Sequence, residues 1–251
     1  MHWFSPFRIA LAALLIATVL VEAADKDADT LVVDKDKRTI TVPCKIAPRK
    51  IDDPAYKEIY PIEVVACWPW TKDKESGKLT GGQKAHETVV TFDKRFKPSD
   101  VHKALEGLGL KPGKPALGLG DGKVMPVPEG PEVDIFLEFP GPDGGAKKMP
   151  IEKTMISRDN PDLPFLPKGQ KLKWRFTGSV MVQPDPTKDA KVYGADVGGT
   201  LISIFPVTDQ CVFQTQLTMK EEKYVKIETN KKLLPKEGTD CKLIIEVPPP
   251  K

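Results

Sequence analysis

The chain has 251 residues, a formal net charge of +3 and 40% hydrophobic residues, which suits one large domain or two small ones with a core that needs no metal. Its lysines are dispersed rather than clustered with aromatics, so the small positive excess does not describe a nucleic-acid-binding face. Twenty-five prolines and 19 glycines shorten every regular element and predict an α+β fold that is predominantly β, with antiparallel sheets, many turns and one short amphipathic helix.

Residues 1–23 read as a secretory signal peptide. Arg8 is the one formal charge before an apolar run from Ile9 to Val21, interrupted only by Thr18, and Val21-Glu22-Ala23 precedes a cut before Ala24. The run falls short of the ~20 residues of a membrane-spanning helix, and no Cys follows the cut to carry a lipid. The mature chain is expected to be exported, periplasmic or extracellular, and free of the membrane. Asp25, Asp27 and Asp29 mimic the opening of a calcium loop, but Thr30 stands where the loop needs Gly and Asp36 where it needs Glu.

Thr39 to Ile46 alternates as a half-buried strand with Ile40, Val42, Cys44 and Ile46 on one face. Pro43 lacks a backbone donor, which predicts an edge or a bulge there. Tyr60 to Trp68 is a second strand, Thr71 to Lys84 a polar loop, and His86 to Asp93 a third strand. The helix is expected at about 98–109. Ser99 is its cap, Val101, Ala104, Leu105 and Leu108 form its apolar face, and Gly109 and Pro112 end it. Lys111 to Pro131 reads as a loop insertion. Val133, Ile135, Leu137 and Phe139 alternate as a strand, with its partner at Lys148 to Ser157. Lys171 to Val182 follows with Leu172, Trp174, Phe176, Val180 and Val182 inward. Short strands at Lys191–Asp196, Thr200–Val207, Cys211–Thr218, Tyr224–Thr229 and Cys241–Val247 complete the chain. The main domain is expected over 24–206, with 207–251 as a β extension packed on it.

Four cysteines, Cys44, Cys67, Cys211 and Cys241, in an exported chain predict disulfides. Of three possible connectivities, Cys44–Cys67 and Cys211–Cys241 join strands close in sequence. One bridge with two buried thiols is the alternative, and a reducible thiol pair a third possibility.

Several blocks occur in a specific order: Lys84-Ala85-His86-Glu87-Thr88, Pro98-Ser99-Asp100-Val101-His102-Lys103-Ala104-Leu105, Trp174-Arg175-Phe176-Thr177-Gly178-Ser179, Tyr193-Gly194-Ala195-Asp196 and Gly199-Thr200-Leu201-Ile202-Ser203. Over about Val32 to Pro206 the chain resembles the bacterial YdjY-like family of exported proteins. The resemblance implies no settled activity. Some relatives bear an iron–sulfur label, but the cysteines here are far apart and form no CxxC, so that cofactor is not expected.

The mature chain has two histidines, His86 and His102. Together with Glu87 or Asp100 they offer imidazole and carboxylate ligands for a divalent metal. Their spacing is not that of a helical zinc site, and on a strand Glu87 points away from His86. The preferred reading is a hydrogen-bonded His86 and a partly exposed His102. No G-x-S-x-G elbow accompanies Ser179 or Ser203, and Gly118 to Gly122 precedes no helix that could hold a phosphate. Asp196 with Gly198-Gly199 forms either a ligand site or, preferably, a turn. Among Trp68, Trp70 and Trp174, Trp70 is the candidate to stack on a sugar or peptide. The expected role is a non-catalytic cell-envelope binding or accessory module with no cofactor, its ligand or partner unknown. The competing reading is a metal-dependent protein centred on His86 and His102.

Overall fold

The computed structural model describes Met1 and residues 30–51, 53–54, 56–120, 125–162, 165–166 and 169–249. Apart from Met1, the expected leader lies outside the described residues.

Eight strands close into a barrel: β1 (Thr39–Ile46), β2 (Val64–Cys67), β3 (Val90–Phe92), β4 (Glu132–Pro140), β5 (Trp174–Phe176), β6 (Thr200–Ser203), β7 (Phe213–Thr215) and β8 (Asp240–Glu246). Around the barrel they run β1-β8-β4-β5-β7-β6-β2-β3, and β3 pairs back onto β1. The antiparallel expectation is corrected to a mixed sheet, because β2 with β3 and β6 with β7 are parallel. Parallel neighbours need a crossover, which residues 68–89 supply for the first pair and 204–212 for the second. The first crossover is not a plain loop, since it holds a small hairpin of Thr71–Lys72 and Leu79–Gly81.

The alternation read from the sequence sets the core. Ile40, Val42, Cys44 and Ile46 of β1, Val133, Ile135, Leu137 and Phe139 of β4, and Cys241, Leu243 and Ile245 of β8 are all buried. Register aligns them in rows: Ile40 and Ile135 flank Ile245, and Val42 and Leu137 flank Leu243. Each such side chain contributes about 1.5–3 kcal/mol on burial. A one-residue slip would turn whole rows to water, so the register is strongly specified.

Pro43 is placed in the interior of the sheet without cost. Ile46 N donates to Thr239 O and Val247 N to Arg38 O, so even-numbered residues of β1 bond to β8 and Pro43 faces the other neighbour. On that side Val32–Asp34 pairs with Thr39–Thr41, and β3 pairs with Cys44–Ile46. Pro43 sits in the gap between the two partners, where no donor is needed.

Among the described residues three α-helices accompany the barrel: α1 (Pro98–Gly107), α2 (Ala195–Gly198) and α3 (Met219–Tyr224). Only the first carries a periodicity long enough to read. Val101, Leu105 and Leu108 of its stripe enter the core. Ser99 is not its cap. Lys97 occupies that position, and its backbone N–H donates to Asp100 Oδ2 at 3.1 Å. The end of the predicted strand at 191–196 becomes α2.

The Lys111–Pro131 segment is strapped to the barrel over part of its length. Gly113 N donates to Phe176 O, Lys114 and Glu129 exchange backbone bonds, and the Gln214 amide bonds both N and O of Ala116. The segment 207–251, read as an extension, contains β7 and β8, two staves of the barrel.

The cysteine pairing is corrected. All four cysteines are buried free thiols, and neither Cys44–Cys67 nor Cys211–Cys241 is a neighbouring pair in the sheet. Cys44 instead stands opposite Cys241, while Cys67 pairs with Thr200 and Thr91. Barrel closure sets the first stave beside the last, so proximity in sequence misleads. Among the described residues no helix is long and apolar enough to cross a membrane.

Candidate functional site

The structure sorts the candidate residues into two separate clusters and adds a cavity that the sequence did not foretell. In the first cluster, His86 is not on a strand. Ala85 N donates to Gly82 O and Glu87 N to Lys84 O, winding residues 82–87 into a turn before β3. The turn overturns the opposite-face expectation and sets His86 Nε2 2.8 Å from Glu87 Oε1. Lys84 Nζ lies 2.6 Å from both Glu63 and Glu87. Burial would raise the Glu87 carboxyl, but hydrogen bonds with His86, Glu63 and Lys84 overcome it and hold it down at about 2. Burial and the neighbouring Glu87 raise Glu63. The two carboxyls therefore differ, with Glu87 the anion and Glu63 the better proton holder.

Arg49, which no sequence pattern singles out, anchors this cluster. It is 2% exposed. Its Nε donates to Glu228 Oε1 at 2.8 Å, its Nη1 to His86 O at 2.6 Å and its Nη2 to Tyr60 O. Aromatic rings enclose the imidazole: Tyr56 at 4.4 Å and Tyr60 at 5.2 Å between centroids. Trp70 is half-buried and meets Tyr56 edge-on at 4.8 Å, with Lys72 Nζ 6.0 Å from its ring. His86 Nδ1 is buried with no hydrogen-bond partner among the described residues.

The second cluster gathers three of the five blocks that carry the resemblance. His102, on α1, meets the Tyr193 hydroxyl through Nδ1 at 2.7 Å. Ser179 N donates to that hydroxyl at 3.0 Å, which leaves the phenol proton for Nδ1. A neutral His102 then carries its own proton on Nε2, facing Glu106 Oε1 at 3.5 Å. Burial raises the Tyr193 phenol well above its ordinary value, so it stays protonated in this role. The Ser179 hydroxyl accepts from Ala195 N and donates to Val180 O. Asp196 accepts from Ser99 N at 2.9 Å and from Ser99 Oγ at 2.6 Å, and so caps α1 from another helix. Gly178 (φ +66°) lets the chain pass close beside this cluster: a Cβ there would fall 2.9 Å from Pro112 Cβ and 3.2 Å from His102 Cε1.

His86 and His102 have different partners among the described residues. The first sits among Tyr56, Tyr60, Arg49 and Glu87, the second among Phe176, Tyr193 and Glu106. Among the described residues no group of three or more His, Cys, Asp or Glu converges in a way that could hold a metal ion.

The cavity has a volume of about 670 Å³ and lies toward the end of the barrel where β4 finishes and β8 begins. Cys44, Phe92, Phe139 and Cys241, all from inward rows, line it together with Phe96 and Pro69. Charged residues surround this apolar lining. Lys45 pairs with Asp240, Arg95 with Asp93 at 3.2 Å and Lys242 with Glu138 at 3.9 Å. No short motif marks this site, because its walls come from strands distant in sequence.

A family model described as the YdjY domain matches residues 31–246. No curated protein and no solved structure gives a match.

Proposed function

This chain belongs to the YdjY family, and on that premise we propose that it is an exported, non-catalytic binding module of the cell envelope whose barrel cavity takes the apolar part of an amphipathic ligand. The observation that carries the reading is the cavity itself. Its volume of about 670 Å³ falls in the range of small-molecule sites, and an apolar wall with a few polar groups is their usual lining. The paired charges at its rim suit the polar end of such a ligand. A non-catalytic role is supported by the two imidazoles. Each is engaged within the protein by a neighbour, Glu87 or Tyr193.

The test is a fluorescence titration with 1-anilinonaphthalene-8-sulfonate, an apolar probe with one anionic group. The folded protein should bind one equivalent saturably. Ala146→Trp, at an exposed position lining the cavity, should weaken binding at least ~10-fold, a loss of about 1.4 kcal/mol, without moving the urea midpoint. No saturable binding, or equal affinity in the variant, overturns the assignment. Export is checked separately by the amino terminus of the secreted protein, expected at Ala24.

A further inference from the structure

We propose that Cys44 and Cys241 are a disulfide-forming pair that joins the first stave of the barrel to the last. The two residues are direct partners across the β1–β8 ladder. The bonds of Ile46 N to Thr239 O and Val247 N to Arg38 O place them at a hydrogen-bonded position, where opposed Cα atoms are about 5.5 Å apart. That separation lies within the range a disulfide spans without moving the backbone. Both side chains belong to inward rows and line the same cavity. The remaining two cysteines have other surroundings. Cys67 packs with Ile51, Val64 and Ala85 in a separate apolar cluster, and Cys211 Sγ faces Thr208 O at 3.5 Å. The fold therefore selects one connectivity among those the sequence allows, and not the one that adjacency in sequence favours.

The chemistry is thiol–disulfide exchange. Oxidised glutathione serves as the acceptor. One cysteine thiolate attacks it and expels a glutathione thiolate; the second cysteine then displaces the other glutathione and closes the S–S bond. The protein gives up two protons and two electrons, and the oxidant leaves as two thiols. Burial, with the facing thiol adding to it, pushes Cys44 well above its ordinary value. Burial and Asp240 push Cys241 up to about 12. Thiolate is therefore scarce once the barrel has closed, and the bond forms as β8 docks on β1 during folding.

The inference rests on the export reading only for its oxidising compartment, so the test is made in vitro. The full chain is unfolded in urea and refolded in a mixture of reduced and oxidised glutathione. The expected product is two hydrogens lighter, and non-reducing peptide mapping links the Cys44 and Cys241 peptides while Cys67 and Cys211 alkylate only after denaturation. Its urea midpoint should exceed that of the reduced protein. Cys44→Ser or Cys241→Ser should abolish the link, and Cys67→Ser with Cys211→Ser should keep it. Four free thiols after refolding, or a bridge through Cys67 or Cys211, overturns the proposal. An intact leader on secreted material alongside a Cys44–Cys241 link in the refolding buffer would sink export and leave the pairing standing.

Discussion

Replacing Arg49 with Met tests the tertiary logic of the His86 region most directly. The guanidinium is 2% exposed, and its partners are the Glu228 carboxylate and the carbonyls of His86 and Tyr60. Met keeps much of the volume and removes every donor. Breaking a buried ion pair from one side costs about 3–5 kcal/mol, because the remaining charge is left unpaired. Glu228 keeps bonds from Thr229 N at 2.8 Å and Thr229 Oγ1 at 3.0 Å, which argues for the lower end. The two stranded carbonyls add at least about 1 kcal/mol each if no water replaces the guanidinium, and less where water does. A loss of at least about 4 kcal/mol follows. For a domain of this size that lowers Tm by roughly 8–16 °C. Urea denaturation of Arg49→Met, Glu228→Gln and the double variant closes the cycle, and the pair should couple by about 1–3 kcal/mol. A single-variant loss under about 1 kcal/mol, or additive losses, would refute the view that Arg49 and Glu228 hold this region together.

Two further outcomes follow from the same structure. Gly199 ends α2 at φ +74°, and a Cβ there would lie 2.2 Å from Trp68 Cδ2. Gly199→Ala should therefore cost about 3 kcal/mol or more through left-handed strain and overpacking, and a Tm within about 2 °C of the wild type contradicts this. Glu87 is held at about 2 in the folded state against an ordinary value of 4.5, so the stability it contributes is complete above that ordinary value and lost as pH falls toward 2. Glu63, shifted the opposite way, offsets part of the loss. Chemical denaturation across this interval should show a shallower acid decline in Glu87→Gln than in the wild type, and parallel curves would rule the carboxylate out as a source of acid sensitivity.

The sequence alone carried the local physics. Alternation along β1, β4 and β5 named their buried faces, and the apolar stripe of Val101, Leu105 and Leu108 with Pro98 and Gly109 located α1. These patterns were legible because a strand or helix buries one face whatever lies opposite. The blocks behind the family resemblance were legible too, but not their meeting: Ser99 with Asp196, and His102 with Tyr193 and Ser179, join only once α1 lies beside α2 and the loop after β5. His86 with Glu87 was misread because a turn leaves no periodicity to detect. Arg49 gave no signal, since a lone arginine looks the same in sequence whether it is solvated or buried. The tertiary structure alone decided that the sheet closes, that two of its pairings are parallel, and that Cys44 faces Cys241. Closure is a pairing between segments about two hundred residues apart, and alternation records which face of a strand is buried, never which strand will lie beside it.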